Sequence, residues 1–411
     1  MLPQSPVRSL LHRVVKLLGL SSLLLALAAC NTETVKTTTL TPTVIETAKI
    51  PEAELLDVGV GIFEPGLDDI PSNRKELTFG DVRMAETQFV SYQLAQTLQG
   101  TGNWGVVRVN PNDLSYTDVA VHGTIIQSDG ETMRVKVKVS DVSGKLWFDK
   151  EYKETVSKYS YDSRNNRNDD PFQGLYNRIA NDILAYRQKN LKSADLLNLR
   201  TLSKLQFARR FAPQVFDSYV DKDRQGLLTV KRLPANDDPL LVRLDAIRER
   251  DYAFVDALQD HYTNFAGRMR GPYTDFRRKS YDEVMKYDQL HEASTRNMVL
   301  GIAAIVGGLA ATQGSSNAST AAVYGGLLGG GYLVKDAFSK RDEAQMQVES
   351  LAELGNSIGG AIAPHTIELG EKVVTLTGTV DEQYGKWKQM LADLYANETG
   401  AAPAAPPAAT K

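Results

Sequence analysis

The sequence predicts an α+β protein. It divides into an N-terminal α/β sandwich domain, a helical middle region with a glycine-rich helical hairpin, and a small C-terminal strand–helix unit. Three observations carry this. Apolar residues alternate with period two at Leu56, Val58, Val60 and Ile62 and again at Met133, Val135, Val137 and Val139. They recur at helical spacing at Val90, Leu94 and Leu98 and at Phe172, Leu175, Tyr176, Ile179, Ile183 and Tyr186. Finally, 38 consecutive residues between Arg296 and Lys335 carry no charge.

With 411 residues, of which 42% are hydrophobic and 24% charged, the chain holds enough apolar material for two or three domains of ordinary size. That excludes collagen-like and wholly disordered architectures. The formal net charge is −3, so no positive field advertises nucleic-acid binding. A single cysteine excludes an internal disulfide and a thiolate metal site.

Residues 1–29 read as a secretory signal. Arg8, His12, Arg13 and Lys16 make a basic start, and residues 17–29 are uncharged and dominated by Leu and Ala. The apolar run is too short to span a hydrocarbon core of about 30 Å. It ends Leu27-Ala28-Ala29-Cys30, which resembles the bacterial lipobox. The resemblance implies a diacylglyceryl group on the Cys30 thiol, then cleavage and acylation of the freed amine. Two or more chains hold a protein firmly where one holds it marginally. Asn31, rather than Asp, implies by the same resemblance an outer-membrane destination in place of retention at the inner membrane. Loss of Arg8, Arg13 and Lys16 takes the net charge from −3 to −6, which argues further against nucleic acid. Residues 30–49, with Thr37, Thr38 and Thr39 consecutive, are expected to form a flexible tether.

Residues 50–190 are expected to form the α+β domain. The opening strand ends at Pro65-Gly66, and the helix through Val90, Leu94 and Leu98 stops at Gly100. A short strand at Val106, Val107 and Val109 ends at Pro111. A meander follows, with strands at 119–126, 133–139 and 146–152 and turns at Ser128-Asp129-Gly130 and Ser143-Gly144. Asp170-Pro171 then caps the most clearly amphipathic helix in the chain.

Three features of this stretch are similar to the small α/β domain of the curli-secretion lipoproteins and to the N-terminal domain of the Tol-system propeller protein. They are the strand Asp57-Val58-Gly59-Val60-Gly61-Ile62-Phe63, the hairpin strand beginning Val121-His122-Gly123, and the helix after Pro171. The resemblance implies a periplasmic assembly or interaction module and brings no catalytic residue with it. The other two thirds of the chain do not match those families, which argues against a curli-type pore. On the meander, Arg134, Lys136 and Lys138 alternate opposite the valines. They form either a basic stripe for an acidic partner or lipid headgroups, or a solvated sheet face that needs no partner; the second reading is preferred.

Residues 191–296 are expected to be helical and broken into several helices by Pro234, Pro239 and Pro272. Tyr252, Val255, Leu258 and Tyr262 share one face, extended by Phe265, Tyr273 and Phe276, and their helical spacing marks them as core. Residues 297–335 follow as an uncharged helical hairpin with arms at 298–311 and 318–334. Small residues repeat every four positions: Ala303, Gly307 and Ala311 in the first arm, Gly325 with Gly329 and Gly326 with Gly330 in the second. Such spacing lets helix backbones approach closely, offsetting about 1 kcal/mol per glycine in helix propensity. The hairpin has three readings: burial in the protein's own core, entry into lipid, or self-association into a homo-oligomer.

In 336–398 the expected elements are a helix over 344–362, a strand over 372–380 and a helix with Trp387, Met390, Leu391 and Leu394 on one face. Leu376-Thr377-Gly378-Thr379-Val380 followed by that helix resembles one half of a BON-type periplasmic module. Residues 399–411, rich in Ala and Pro, are expected to be a disordered tail.

Catalytic signatures fail on context. Gly355-Asn356-Ser357-Ile358-Gly359 matches the form of a nucleophile elbow but follows a helical, charged segment instead of a strand. His122, His261, His291 and His365 stand singly, without metal-ligand spacing. Gly59 and Gly61 lack the third glycine of a dinucleotide fingerprint, and Asp68-Asp69 and Asp237-Asp238 read as solvated caps. No cofactor or metal is expected. The expected function is a non-enzymatic, outer-membrane-anchored component of an envelope complex, with envelope proteins as partners. The other class is a lipid-anchored hydrolase of envelope polymers with Ser357 or an acidic pair as catalyst.

Overall fold

The structure is a computed structural model. It describes residues 40–46, 50–70, 74–111, 114, 116–162, 170–235, 238–308, 349–350, 352–353, 355, 362, 364–369 and 372–400. All of these belong to one compact unit, 38–411. The fold is α+β, as the sequence predicts.

Five strands form the main sheet: β1 (Val58–Gly61), β2 (Val107–Asn110), β3 (Val119–Ser128), β4 (Thr132–Asp141) and β5 (Leu146–Thr155), in spatial order β2-β1-β3-β4-β5. β1 runs parallel to both neighbours, whereas β3, β4 and β5 form an antiparallel meander. The alternation read along β4 is real: Met133, Val135, Val137 and Val139 are buried while Lys136 and Lys138 are exposed. Helices α1 (Gly80–Gly100) and α2 (Gln173–Asn190) cover the apolar face. α2 begins two residues after Pro171, with the Asp170 carboxylate accepting from the Phe172 amide at 2.8 Å.

α1 has two apolar faces, of which the sequence reading found one. Val90, Leu94 and Leu98 pack into the main core. Val82, Ala85 and Phe89 join Phe265, Ala266, Met269, Tyr273 and Phe276 in a second cluster. The second face escapes a one-stripe search because it is shared between α1 and a segment almost two hundred residues away.

The middle region departs from expectation in two ways. After α3 (Ser193–Phe211) and a helical turn at Pro213–Phe216, the chain forms a hairpin, β6 (Val220–Lys222) with β7 (Leu228–Val230). Three-residue strands are too short to display a period. The signal that was present is the turn, where the Asp223 carboxylate accepts from the Gln225 and Leu227 amides and Gly226 has φ +83°. Second, Pro272 does not end a helix. α4 (Pro239–Gly308) is continuous for 70 residues, about 105 Å at 1.5 Å per residue, and runs across the expected 296/297 boundary. An interior proline costs roughly 3 kcal/mol. Met269, Tyr273 and Phe276, all buried on the same docked face, offset that cost.

At the C-terminus, β9 (Lys372–Leu376) pairs with β8 (His365–Leu369), a strand the sequence reading missed. β9 stops at Leu376 instead of running to Val380, because Gly378 adopts φ +115° and Thr379 caps the next helix, α5 (Val380–Thr399). The cap is reciprocal: Thr379 Oγ1 accepts from the Glu382 amide at 3.1 Å, and Glu382 accepts from the Thr379 amide at 2.9 Å. One apolar cluster contains residues from Leu56 through Tyr395, so strand–helix unit and sheet share a core.

Candidate functional site

The side chains that unite the chain converge where α4 crosses α1 and the β3–β4 turn. Gly130 in that turn lies so close to α4 that a Cβ there would sit 2.3 Å from the Arg277 carbonyl oxygen and 2.4 Å from the Tyr281 nitrogen. Only glycine allows this backbone-to-backbone approach. Beside it, Arg277 is 1% exposed and faces Asp170 at 3.2 Å, with its guanidinium over the rings of Tyr273 at 3.7 Å and Phe172 at 4.7 Å. Tyr273 donates to Glu86 at 2.6 Å, Ser128 donates to the same carboxylate at 2.9 Å, and Arg83 faces its other oxygen at 2.8 Å. Burial opposes charge on Arg277, but Tyr273, Asp170, Tyr161 and Tyr176 outweigh it and raise its pKa. The guanidinium therefore stays ionised and fastens helix α4 to the start of α2. The sequence placed Tyr273 in the core but gave no signal for Arg277, because a charged residue on a charged helix reads as solvated.

A second buried node joins α4 to α5. Tyr116 donates to Asp251 at 3.1 Å and shares a short hydrogen bond with Tyr384. Around them Phe254 stacks on Trp387 at 5.2 Å. Burial raises Asp251 to about 6, against the opposing effects of Tyr116, Arg210, Trp387 and Lys388. A carboxyl whose folded pKa is raised binds its proton more tightly when folded. Stability is therefore greatest below the unfolded value near 4 and declines as pH rises to about 6, then levels off. Asp251→Asn is expected to remove that decline and to raise the unfolding midpoint at pH 7.5 relative to the parent. Thermal unfolding at pH 4.5 and 7.5 measures it, and an unchanged pH slope in the variant would rule the assignment out.

The expected flexible tether is partly bound. Residues 30–39 and 47–49 lie outside the described residues, but 40–46 are held by asparagine side chains reading the backbone. Asn177 donates to the Thr41 carbonyl at 2.8 Å, and Asn103 donates to the Val44 carbonyl at 2.8 Å. Asn181 donates to the Pro42 carbonyl at 2.9 Å and accepts from the Val44 amide at 2.8 Å. Composition could not show this, since the contacts use main-chain atoms of the tether. Asn181→Ala removes two bonds of roughly 1 kcal/mol each, so exchange at the Val44 amide should accelerate about tenfold or more. Unchanged protection would show that the segment is held by something else.

On the open sheet face, Arg134 pairs with Glu151 and Lys136 with Asp149, each at 3.3 Å. Two members of the basic stripe are thus neutralised within the sheet, as a solvated face requires.

Other sequence-predicted residues fall as follows. Ala303 and Gly307 lie in α4. Cys30, Ala311, Gly325, Gly326, Gly329, Gly330, Ser357, the signal 1–29 and residues 401–411 of the expected 399–411 tail lie outside the described residues, whereas Thr399 closes α5 and Gly400 caps it. Gly355 is buried, where a Cβ would meet the Asp81 carbonyl oxygen at 2.2 Å. Among the described residues, no group of three or more His, Cys, Asp or Glu is placed to hold a metal. Asp238 is a helix cap, accepting from the Leu240 amide at 2.9 Å. Also among them, no helix is long and apolar enough to cross a membrane. No protein-family model matches the chain, and no curated protein matches it significantly.

Proposed function

We propose that the chain is an outer-membrane lipoprotein facing the periplasm and acting as a structural or assembly component of an envelope complex. The lipid on Cys30 confines the folded body to a surface, which raises its effective concentration for envelope partners there. The observation that carries the reading is the continuity of α4. One helix is fastened into the α/β core by Arg277 and runs without interruption into the charge-free segment bearing Ala303 and Gly307. A body so joined can hold a helix-packing segment at a fixed register relative to a docking module. Helix interfaces built on small residues at four-residue spacing associate by close backbone packing. Its product is a held geometry, and no chemical step is needed.

The test has two arms. Cys30→Ser should release the protein from the membrane fraction, with the lipidated N-terminal peptide absent by mass spectrometry. Deletion of residues 298–334 should abolish higher-mass species in crosslinked envelopes and fail to complement, whereas Ser357→Ala should complement fully. A bare Cys30 thiol in native protein would end the lipoprotein reading. Loss of function in Ser357→Ala alone would favour the hydrolase.

A further inference from the structure

The open face of the sheet holds a cleft of about 360 Å³ lined by Ile62, Glu64, His122, Thr124, Lys138 and Asp149 among others. Gly61 of β1 lies beside His122. The neighbouring outward-facing glycine, Gly59, is overlain by Leu114 and Thr117, where a Cβ would collide at 2.6 and 2.9 Å. At Gly61 the nearest atoms to a Cβ are Leu114 at 3.4 Å and the His122 Nδ1 at 3.6 Å. The strand thus carries no side chain beside the imidazole.

The charges around the cleft are unevenly committed. Lys136 faces Asp149 at 3.3 Å, and Thr124 donates to Glu64 at 2.9 Å. Lys138 opposes His122 directly across β3 and β4, and its β5 neighbour is Asp149, the carboxylate that turns to Lys136. Among the described residues, the side chains of Lys138 and His122 have no ion-pair or hydrogen-bond partner. Lys138 and a protonated His122 repel across the adjacent strands, a cost that an anion lying between them would relieve. Although the ring stays solvent-accessible, partial desolvation by its surroundings first, then Lys138, lowers the pKa of His122, while Glu64 acts in the opposite direction.

The geometry points to this cleft as a binding site for an oxyanion, a carboxylate or phosphate group held between His122 and Lys138. The groups facing His122 are Glu64 from the loop after β1, Lys136 and Lys138 from β4, and Asp149 from β5. Glu64 and Asp149 are already engaged by Thr124 and Lys136, so they limit the charge the site accepts without occupying Lys138 or the imidazole. An anion favours protonated His122, so binding should tighten as pH falls through the imidazole range. The site stands independently of the proposed envelope role.

The experiment follows the histidine ring resonances of the full chain during titration with sodium acetate and, separately, inorganic phosphate, against sodium chloride at matched ionic strength. His122 is expected to shift saturably while His261 and His365 do not. Lys138→Gln should weaken acetate binding about tenfold, the loss of one charge-assisted contact. In His122→Gln, acetate binding followed by the Lys138 side-chain resonances should no longer vary with pH across the imidazole range. Saturation by phosphate at lower concentration than acetate assigns the source as a phosphate group; the reverse order assigns a carboxylate. No saturable shift with either probe, the same shift with chloride, or undiminished affinity in Lys138→Gln would each overturn the site. Both side chains are exposed, so an unchanged unfolding midpoint checks that the variants fold.

Discussion

Arg277→Met is expected to destabilise the protein by about 3–5 kcal/mol, the usual cost of removing one partner from a buried ion pair. The expectation rests on what stays behind. Asp170 would remain buried opposite an apolar side chain, and Tyr273 and Phe172 would lose the cation resting on their rings. Chemical denaturation of parent and variant measures the loss. The double variant Arg277→Met, Asp170→Asn should recover part of it, because no uncompensated charge is then left buried. A single-variant cost below about 1 kcal/mol would mean that the pair is screened by water, as surface pairs are. α4 would then be fastened mainly by its apolar face.

Trp387→Ala should cost a similar amount, about 3–5 kcal/mol for emptying a large buried aromatic site. Trp387 is 1% exposed and stacks on Phe254 of α4, while Tyr384 one turn earlier bonds to Tyr116 in the loop leading to β3. The informative reading is where the loss appears. Trp104 and Trp147 belong to the sheet domain and remain in the variant as fluorescent reporters. If strand–helix unit and sheet form one cooperative core, their transition moves down together with the far-ultraviolet circular dichroism. A transition of Trp104 and Trp147 that stays in place would show that the C-terminal unit unfolds by itself.

The contrast between these residues and those read from sequence explains what was legible. The meander, α1 and α2 announce themselves through Val135, Val137 and Val139 or through Phe172, Ile179 and Ile183, because their burial is set by local period. The same holds for the aromatic face of α4. The docking site was not legible, since Arg277, Asp170, Glu86 and Gly130 are ordinary surface residue types until a distant segment covers them. The bound stretch 40–46 was invisible for a related reason. Asparagines at 103, 177 and 181 read its backbone, which leaves no trace in its composition.

By itself the sequence determined the α+β class, the order of most elements and the faces they bury. These follow from hydrophobic period, turn chemistry and the spacing of residue types, all of which act within a few positions of the chain. Tertiary structure alone decided that α4 passes through Pro272, that the C-terminal unit shares the sheet's core, and that Lys138 rather than Arg134 or Lys136 stands opposite an uncommitted imidazole. Each outcome depends on long-range contacts. Burial gained across the fold outweighs a local helix-breaking preference, and the pairing of charges is set by strand register, which no run of residues encodes alone.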